Sequence, residues 1–220
     1  MNRVVLISVL SVLYMCSYAQ TPDSSQAVDL GLSVKWAGYN IGAVSPEAYG
    51  DYFAWGETSP KEVYDLDTYR YCRGSYESMT KYCYQDWHGS VDGKMELEKE
   101  DDAAHVLWGD GWRIPSKEEY EELWTRCKWK GVEYHGVNGF MITGPNGKSI
   151  FLPKAGNIDG KRRVLQNSYG FYYTRNIDPF DSNAALGYYF LAGKLTRNVG
   201  LLREYGRPIR AVFEQQHISN

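Results

Sequence analysis

Two pairs of acidic residues are close enough in the sequence to suggest acid–base chemistry. Asp101 and Asp102 are adjacent, and Asp178 and Asp181 lie three positions apart. Glycoside hydrolysis needs two carboxyl groups about 5 to 10 Å apart across one cleft. Acidic pairs are also common at helix starts and in solvated loops, and neither spacing distinguishes an active site. We interpret the first pair as a helix start and the second as a surface loop, and we expect no catalytic residues and no enzymatic activity.

Metal chemistry finds little support in the sequence. Asp178, Asp181 and Asn183 offer hard oxygen ligands of the kind that calcium prefers, but a polar surface loop is the favoured interpretation. No Cys-x-x-Cys is present, and no histidine lies at ligand spacing from a cysteine. We therefore expect no metal and no cofactor, and we interpret the scattered histidines as surface or core polar residues: His88, His105, His135 and His217.

The N-terminus has the pattern of a secretory signal. Arg3 precedes an apolar stretch at residues 4–14, and a small-x-small pattern ends at Ala19. A charged start, an apolar stretch and small residues at the cleavage site define such signals. We predict a signal peptide over residues 1–19 and a secreted or outer-surface location.

A lipid anchor at Cys16 is the alternative interpretation of this segment. Met15 stands where a lipoprotein signal would have a small residue, which favours cleavage without acylation. The apolar stretch is too short to cross a bilayer, and no later segment approaches the ~18 consecutive apolar residues that a spanning helix needs. We predict no transmembrane span.

Three cysteines follow this segment, at Cys72, Cys83 and Cys127. An odd number in an oxidising compartment permits one disulfide and one free thiol. Cys72 and Cys83 share one loop-like region and are the expected pair. Cys127 falls on the apolar face of a predicted helix, where we interpret it as a packing group.

The composition excludes several classes of protein. The 220 residues include 7 Trp, 19 Tyr and 7 Phe, and this aromatic content gives the chain surface to bury and excludes intrinsic disorder. The 22 Gly leave little room for the sustained period of a helical bundle. The formal net charge of −3 provides no basic field for nucleic acid, which is not expected as a partner.

The local patterns predict an α+β domain with few helical residues. Helices are predicted over residues 100–108 and 116–127, the second because Ser116 and Glu119 form a capping-box pattern. An Asn-Gly turn predicts a hairpin. The predicted strands cover residues 27–32, 34–41, 140–143, 148–153, 169–175, 186–192, 199–205 and 209–214.

The predicted organisation is a single domain over residues 27–214, after a polar leader at residues 20–26 and before a tail at residues 215–220. Residues 59–99 show no helical or strand-like hydrophobic period, but they contain many tyrosines. We interpret them as a long irregular insertion held in place by its aromatic side chains.

Five sequence blocks resemble the Fibrobacter succinogenes major paralogous domain, whose members are secreted or surface-attached. The resemblance spans nearly the whole predicted domain, in the order of the family. It implies a C-type-lectin-like fold, related to formylglycine-generating enzymes and to the variable proteins of diversity-generating retroelements. The blocks are AVDLGLSVKWAGYNIGA (27–43), YGDYFAWGET (49–58), EDDAAHVLWGDGWRIPSKEEYEEL (100–123), GVNGFMIT with SIFLP and AG (136–156) and GRPIRAV (206–212).

The chain lacks the residues that formylglycine-generating enzymes use in catalysis and those that calcium-dependent lectins use to bind calcium. Formylglycine-generating enzymes use a pair of cysteines late in the domain, and no cysteine follows Cys127 here. The Glu-Pro-Asn, Gln-Pro-Asp and Trp-Asn-Asp triplets of calcium-dependent lectins are also absent. The family often has a cysteine where Tyr39 stands, so Cys127 has lost the partner that the resemblance implies.

The resemblance implies that ligands contact side chains of the C-terminal half. Tyrosine and arginine supply contact area and hydrogen bonds, and a tyrosine face can stack on a sugar ring. We expect adjacent tyrosines, such as 172 and 173, to face opposite sides of a strand, one inward and one outward. The predicted ligand-binding residues are Tyr173, Arg175, Asn176, Asp178, Asp181, Asn183, Tyr188, Lys194, Arg197, Asn198 and Arg203.

The leading hypothesis is a non-enzymatic module that binds a glycan or protein ligand at the cell surface through these late loops. A structural or assembly subunit that docks through residues 59–99 is the alternative from a different class. A third is a retroelement-diversified receptor, with Asn176, Asn183 and Asn198 at mutable codons, although three asparagines are too few to support it.

Overall fold

Short antiparallel strands dominate the structure, a computed structural model that describes residues 26–191 and 194–214, without the side chains at 194, 195, 197 and 198. The described residues contain two α-helices, α1 (Ala103–Trp108) and α2 (Lys117–Arg126), and two 3-10 turns at Asp86–His88 and Lys99–Asp101. This arrangement confirms the predicted α+β class. The predicted signal peptide, the tail and the cysteine considered for acylation lie outside the described residues.

The strands, in chain order, are β1 (Ala27–Val28), β2 (Lys35–Ala37), β3 (Trp112–Arg113), β4 (Lys128–Tyr134), β5 (Val137–Thr143), β6 (Ser149–Pro153), β7 (Asn157–Asp159), β8 (Arg162–Val164), β9 (Tyr169–Asp178), β10 (Asp181–Leu191), β11 (Lys194–Leu202) and β12 (Val212–Phe213). The first sheet has the order β1-β2-β12-β3 and joins the two ends of the domain. Two three-stranded sheets, β11-β10-β9 and β4-β5-β6, and the pair β7-β8 complete the described sheets.

Helix α2 follows from local sequence. The Ser116 hydroxyl accepts a hydrogen bond from the backbone N–H of Glu119 at 3.3 Å, and the Glu119 carboxylate accepts from the N–H of Ser116 at 2.8 Å. This reciprocal pair satisfies donors that a helix start leaves free. Tyr120 and Leu123 then turn one face into the core, where the Tyr120 ring lies 5.0 Å from that of Trp36.

The central sheet β11-β10-β9 is covered on both faces. Tyr172 is fully buried in one hydrophobic cluster and Tyr173 is 3% exposed in the other. The two side chains therefore face opposite sides, as the period of a strand requires. The expectation that one of them faces outward is wrong, because the irregular segment at residues 59–99 packs over the second face.

That irregular segment is part of the hydrophobic core. It has one 3-10 turn and no α-helix or β-strand, yet its apolar side chains pack with Trp55 and Tyr173. Its buried members are Tyr64, Tyr69, Tyr71, Met79, Tyr82, Cys83 and Leu97.

Arg203 holds this segment against the central sheet. The side chain is fully buried; its Nε donates to the Tyr69 hydroxyl at 2.8 Å and its Nη1 to the Ser182 carbonyl at 2.8 Å. Nη2 donates to the Lys81 carbonyl at 3.0 Å, and the guanidinium carbon lies 4.9 Å from the centre of the Trp55 ring. Among the described residues, no carboxylate forms an ion pair with it. Carbonyl and aromatic groups therefore take the place of a counter-ion.

Several strand boundaries differ from the prediction. The two early strands shrink to β1 and β2, because Gly31 has a φ of 76° and the Asp29 side chain accepts its N–H, which forms a turn. The last predicted strand shrinks to β12. Strand β4 was missed, because its largely polar pattern does not alternate clearly.

Candidate functional site

A groove lies where the irregular segment meets the end of the central sheet. Its volume is about 490 Å³, and we call it the Trp87 groove. The Trp87 side chain is 64% exposed, unlike the buried tryptophans of the core. The residues that line the groove are Tyr76, Glu77, Trp87, His88, Asp181, Asn183 and Leu202.

The 3-10 turn at Asp86–His88 presents the first wall of the groove. The N–H of Met79 donates to the His88 carbonyl at 2.8 Å, and the N–H of Ser90 donates to the Met79 carbonyl at 2.8 Å. The intervening Gly89 has a φ of 140°, and a Cβ there would lie 2.1 Å from the Met79 carbonyl oxygen. Glycine is therefore required where the two backbones meet.

Gln85 connects this wall to the turn between β9 and β10. Its Oε1 accepts from the N–H of Ser182 at 3.0 Å, and its Nε2 donates to the Phe180 carbonyl at 3.0 Å. The Tyr84 hydroxyl donates to the Asp178 carbonyl at 2.7 Å. Burial, with Asp178 and Asp181 nearby, raises the pKa of Tyr84 to about 12, so the hydroxyl remains a donor at neutral pH. These bonds fix the relative position of the two walls.

Two polar atoms in the groove have no hydrogen-bond partner among the described residues, His88 Nδ1 and Asn183 Oδ1. The other ring nitrogen, His88 Nε2, lies 3.7 Å from Asp181 Oδ1. Asp181 Oδ1 also accepts from the N–H of Asn183 at 2.9 Å, which orients the asparagine. Buried polar atoms without a partner cost free energy.

Tyr76 forms the edge of the groove. Its hydroxyl donates to Glu204 Oε1 at 2.7 Å, a contact between the irregular segment and the residue after Arg203. Burial, together with the hydrogen bond to the Glu204 carboxylate, raises the pKa of Tyr76. The hydroxyl is thus protonated at neutral pH, and Tyr76 itself is one of the lining residues of the groove.

The structure brings two of the predicted ligand-binding residues, Asp181 and Asn183, into this groove. Three others are buried elsewhere. Tyr173 is 3% exposed and its hydroxyl donates to the Tyr205 carbonyl at 3.2 Å; Tyr188 is 2% exposed and stacks on Tyr120 at 4.6 Å; Arg203 is fully buried. Their side chains pack the core and present no surface to an external ligand.

Three more of the predicted residues support the structure around α2 and β9. The Arg175 Nη2 donates to the Leu97 carbonyl at 3.1 Å. Asn176 accepts from the N–H of Lys117 at 2.9 Å, so it fixes the start of α2. Asp178 is 9% exposed and its Oδ1 accepts from the N–H of Phe180 at 2.8 Å. The remaining three, Lys194, Arg197 and Asn198, have side chains outside the described residues.

Sequence reasoning missed Tyr76, Trp87 and His88. All three lie in residues 59–99. The sequence predicted that aromatic side chains of this segment pack inward, but it did not indicate which of them is exposed. The one available signal was the Trp-His pair itself. Trp87 lies outside the five blocks that resemble the family, so the resemblance does not place it in the core.

The first acidic pair serves the start of α1, as interpreted from the sequence. Asp102 is the N-cap residue; its Oδ1 accepts from the N–H of Ala104 at 2.9 Å and its Oδ2 from that of Ile114 at 2.8 Å. Burial raises the pKa of Asp102 despite these bonds. Asp101 accepts from the Tyr82 hydroxyl at 2.7 Å. The carboxyl groups of Asp101 and Asp102 thus both accept hydrogen bonds from donors within the chain.

The expected disulfide is absent, because Cys72, Cys83 and Cys127 are free thiols. The Cys72 Sγ lies 2.9 Å from the Leu66 carbonyl oxygen, and the Cys83 Sγ lies 3.1 Å from that of Gln85. Each thiol thus donates to a carbonyl in its own turn, and the two sulfur atoms do not meet. Within the described part of the chain, no three His, Cys, Asp or Glu side chains group closely enough to hold a metal ion.

Comparison with models of protein families, with curated proteins and with solved structures finds no match to this chain. Functional interpretation therefore depends on the geometry of the chain itself. Neither of the two described helices has the length and apolar character needed to cross a membrane.

Proposed function

We propose that this chain is a non-enzymatic, secreted or surface-located module that binds a glycan in the Trp87 groove. One observation carries the proposal: the exposed Trp87 lines one groove together with His88 and Asn183, whose Nδ1 and Oδ1 atoms have no hydrogen-bond partner among the described residues. An aromatic face packs against the apolar face of a sugar ring. Sugar hydroxyls both donate and accept, which suits a histidine nitrogen and an amide.

The position of the groove agrees with the family resemblance. Asp181 and Asn183 lie on β10, in the C-terminal half where the resemblance implies ligand contacts. Membership of the paralogous family and a C-type-lectin-like fold are part of this proposal. Residues 59–99 place their tyrosines in the core, which favours glycan binding at the groove over an assembly role through that segment.

A glycan array, followed by calorimetry with the strongest ligand, tests the proposal. Trp87→Ala should lower the affinity by about tenfold or more, because aromatic anchors at binding sites often contribute about 2 kcal/mol. Tyr134→Ala is the matched control, since Tyr134 also precedes a histidine, His135, with ring centres 4.2 Å apart, but lies outside this groove. Equal losses in both variants, or none in Trp87→Ala, would contradict the proposal.

A further inference from the structure

A second groove lies beside the first, and carboxylates dominate its lining. Its volume is about 340 Å³, and we call it the Glu204 groove. Among the residues that the structure describes, no lysine or arginine lines it. The described lining residues are Tyr64, Asp65, Leu66, Asp67, Gly74, Tyr76, Asp159, Glu204 and Tyr205. Its surface therefore combines acidic groups with aromatic rings, the two features that bind organic cations.

Glu204 is the buried carboxylate of this groove. It is 3% exposed, and its Oε2 has no hydrogen-bond partner among the described residues, although Oε1 accepts from Tyr76. A buried carboxylate oxygen without a donor is costly. A ligand that brings a charged donor to Oε2 would offset that cost and form a charge-assisted hydrogen bond.

The neighbouring arginines do not supply this donor. Arg203 directs its guanidinium to Tyr69 and to main-chain carbonyls, including that of Ser182. Arg207 Nη1 donates to the Leu202 carbonyl at 2.6 Å. Neither forms an ion pair with Glu204 in the described part of the chain.

The other acidic residues keep the mouth of the groove negative. Asp159 has a side chain that is 45% exposed and lies 3.8 Å from Arg162, which is itself 79% exposed, so solvent weakens that pair. Asp65 accepts from the N–H of Thr68 at 2.9 Å and lines the groove. A cation approaching Glu204 thus meets favourable charge before it reaches the buried oxygen.

Tyr76 lines both grooves, so the two grooves are neighbours that share this residue. We propose that they form one extended site and that its ligand is a glycan with an unacetylated amino group. One sugar ring packs on Trp87 and the ammonium group of a neighbouring sugar binds Glu204 between the Tyr76 and Tyr205 rings. This inference depends on the proposed function, since it names the class of glycan that the same site takes.

Calorimetry with three oligosaccharides of equal length tests the inference: β-linked glucosamine, N-acetylglucosamine and glucose oligomers, at a pH where the amines are protonated. The glucosamine oligomer should bind about tenfold more tightly than the other two, the gain expected from one charge-assisted hydrogen bond. Glu204→Gln should remove this preference and leave binding of the neutral oligomers unchanged. Glu118→Gln is the control, because Glu118 is an exposed acid outside both grooves, and this variant should keep the preference for the amine.

If Glu204→Gln does not fold, Asp159→Asn provides a second variant. It is expected to lower the preference for the amine by about threefold, because it removes one partly exposed negative charge. Equal affinity for the three oligomers would overturn the inference and leave the proposed function standing. No binding of any glycan would overturn both. A lysine-rich peptide that binds in a Glu204-dependent manner while glucosamine oligomers do not would also overturn the inference, since the cation would then come from a protein.

Discussion

His88 Nε2 lies 3.7 Å from Asp181 Oδ1, and this contact spans the Trp87 groove between the irregular segment and strand β10. The histidine is held by the 3-10 turn at Asp86–His88, and the aspartate follows the turn after β9. The pair brings together two parts of the chain that neither local pattern nor sequence spacing connects. The other ring nitrogen of His88, Nδ1, is buried and has no hydrogen-bond partner among the described residues.

Replacement of this histidine should weaken ligand binding without unfolding the protein. His88→Ala is expected to lower the affinity for the glycan identified on the array by about tenfold, since a buried hydrogen bond at a binding site contributes about 1 to 1.5 kcal/mol. Isothermal titration measures the loss. His105→Ala is the matched control, because His105 Nε2 lies 3.9 Å from Asp110 in a similar pair outside the groove. A comparable loss in the control would contradict the assigned role.

Removal of Arg203 should destabilise the whole domain. Arg203→Met leaves three buried carbonyl acceptors and the Tyr69 hydroxyl without their donor, and we expect the free energy of unfolding to fall by about 3 kcal/mol or more. Urea denaturation measures this change. Arg126→Met, which removes an exposed partner of Glu122, should change it by less than about 0.5 kcal/mol. A small effect at Arg203 would show that the irregular segment does not depend on this side chain.

The Asp101 carboxyl group should make stability dependent on pH in the acid range. Burial acts to raise its pKa, but hydrogen bonds from Lys81, Tyr71 and Tyr82 outweigh burial, and the pKa is lowered. Such a group stabilises the fold above its unfolded pKa of about 4, and the contribution is lost as the pH falls through the lower folded value.

Asp101→Asn should therefore be less stable than the parent at pH 7 and should lose less stability between about pH 4 and pH 2. Unfolding in urea across this range provides the measurement. Asp110→Asn is a suitable control, because the Asp110 side chain is fully exposed. Parallel stability curves for the parent and Asp101→Asn would count against the role assigned to this carboxyl group.

The cysteines of the described residues should behave as slow-reacting free thiols. Burial raises the pKa of Cys127 to about 11 and also raises that of Cys72, and a protonated thiol is a poor nucleophile. Alkylation at pH 8 should be slow in the folded protein. After denaturation without reductant, mass spectrometry should find modification at Cys72, Cys83 and Cys127. Recovery of a linked Cys72–Cys83 peptide would restore the disulfide expected from sequence.

The parts of the fold that sequence predicted are those fixed by neighbouring residues. The capping box at Ser116 and Glu119 and the Asn-Gly turn between β5 and β6 act over a few positions, so α2 and the hairpin are readable. Strand β4 was missed because its polar side chains carry little period-2 signal, although β5 pairs with it along its whole length.

Most of the candidate site was beyond the reach of local patterns. Asp181 and Asn183 were predicted as ligand contacts, whereas Trp87 and His88 meet them only because Gln85 bonds to a backbone 97 positions later in the chain. The burial of Tyr173 and Arg203 was missed for the same reason. Whether a side chain of the central sheet is exposed depends on what packs over it. Here residues 59–99 pack over it, and their sequence has no hydrophobic period from which this packing could be predicted.

Arg203 binds the irregular segment through the main-chain oxygens of Lys81 and Tyr82, which every amino acid provides, and through the Tyr69 hydroxyl. Side chains along that segment can therefore change while the anchor is retained, provided that the buried tyrosines remain. The backbone of the segment thus stays in place while its exposed side chains vary. Substitution of single residues near Trp87 should change ligand specificity, whereas deletion of the whole segment would unfold the domain.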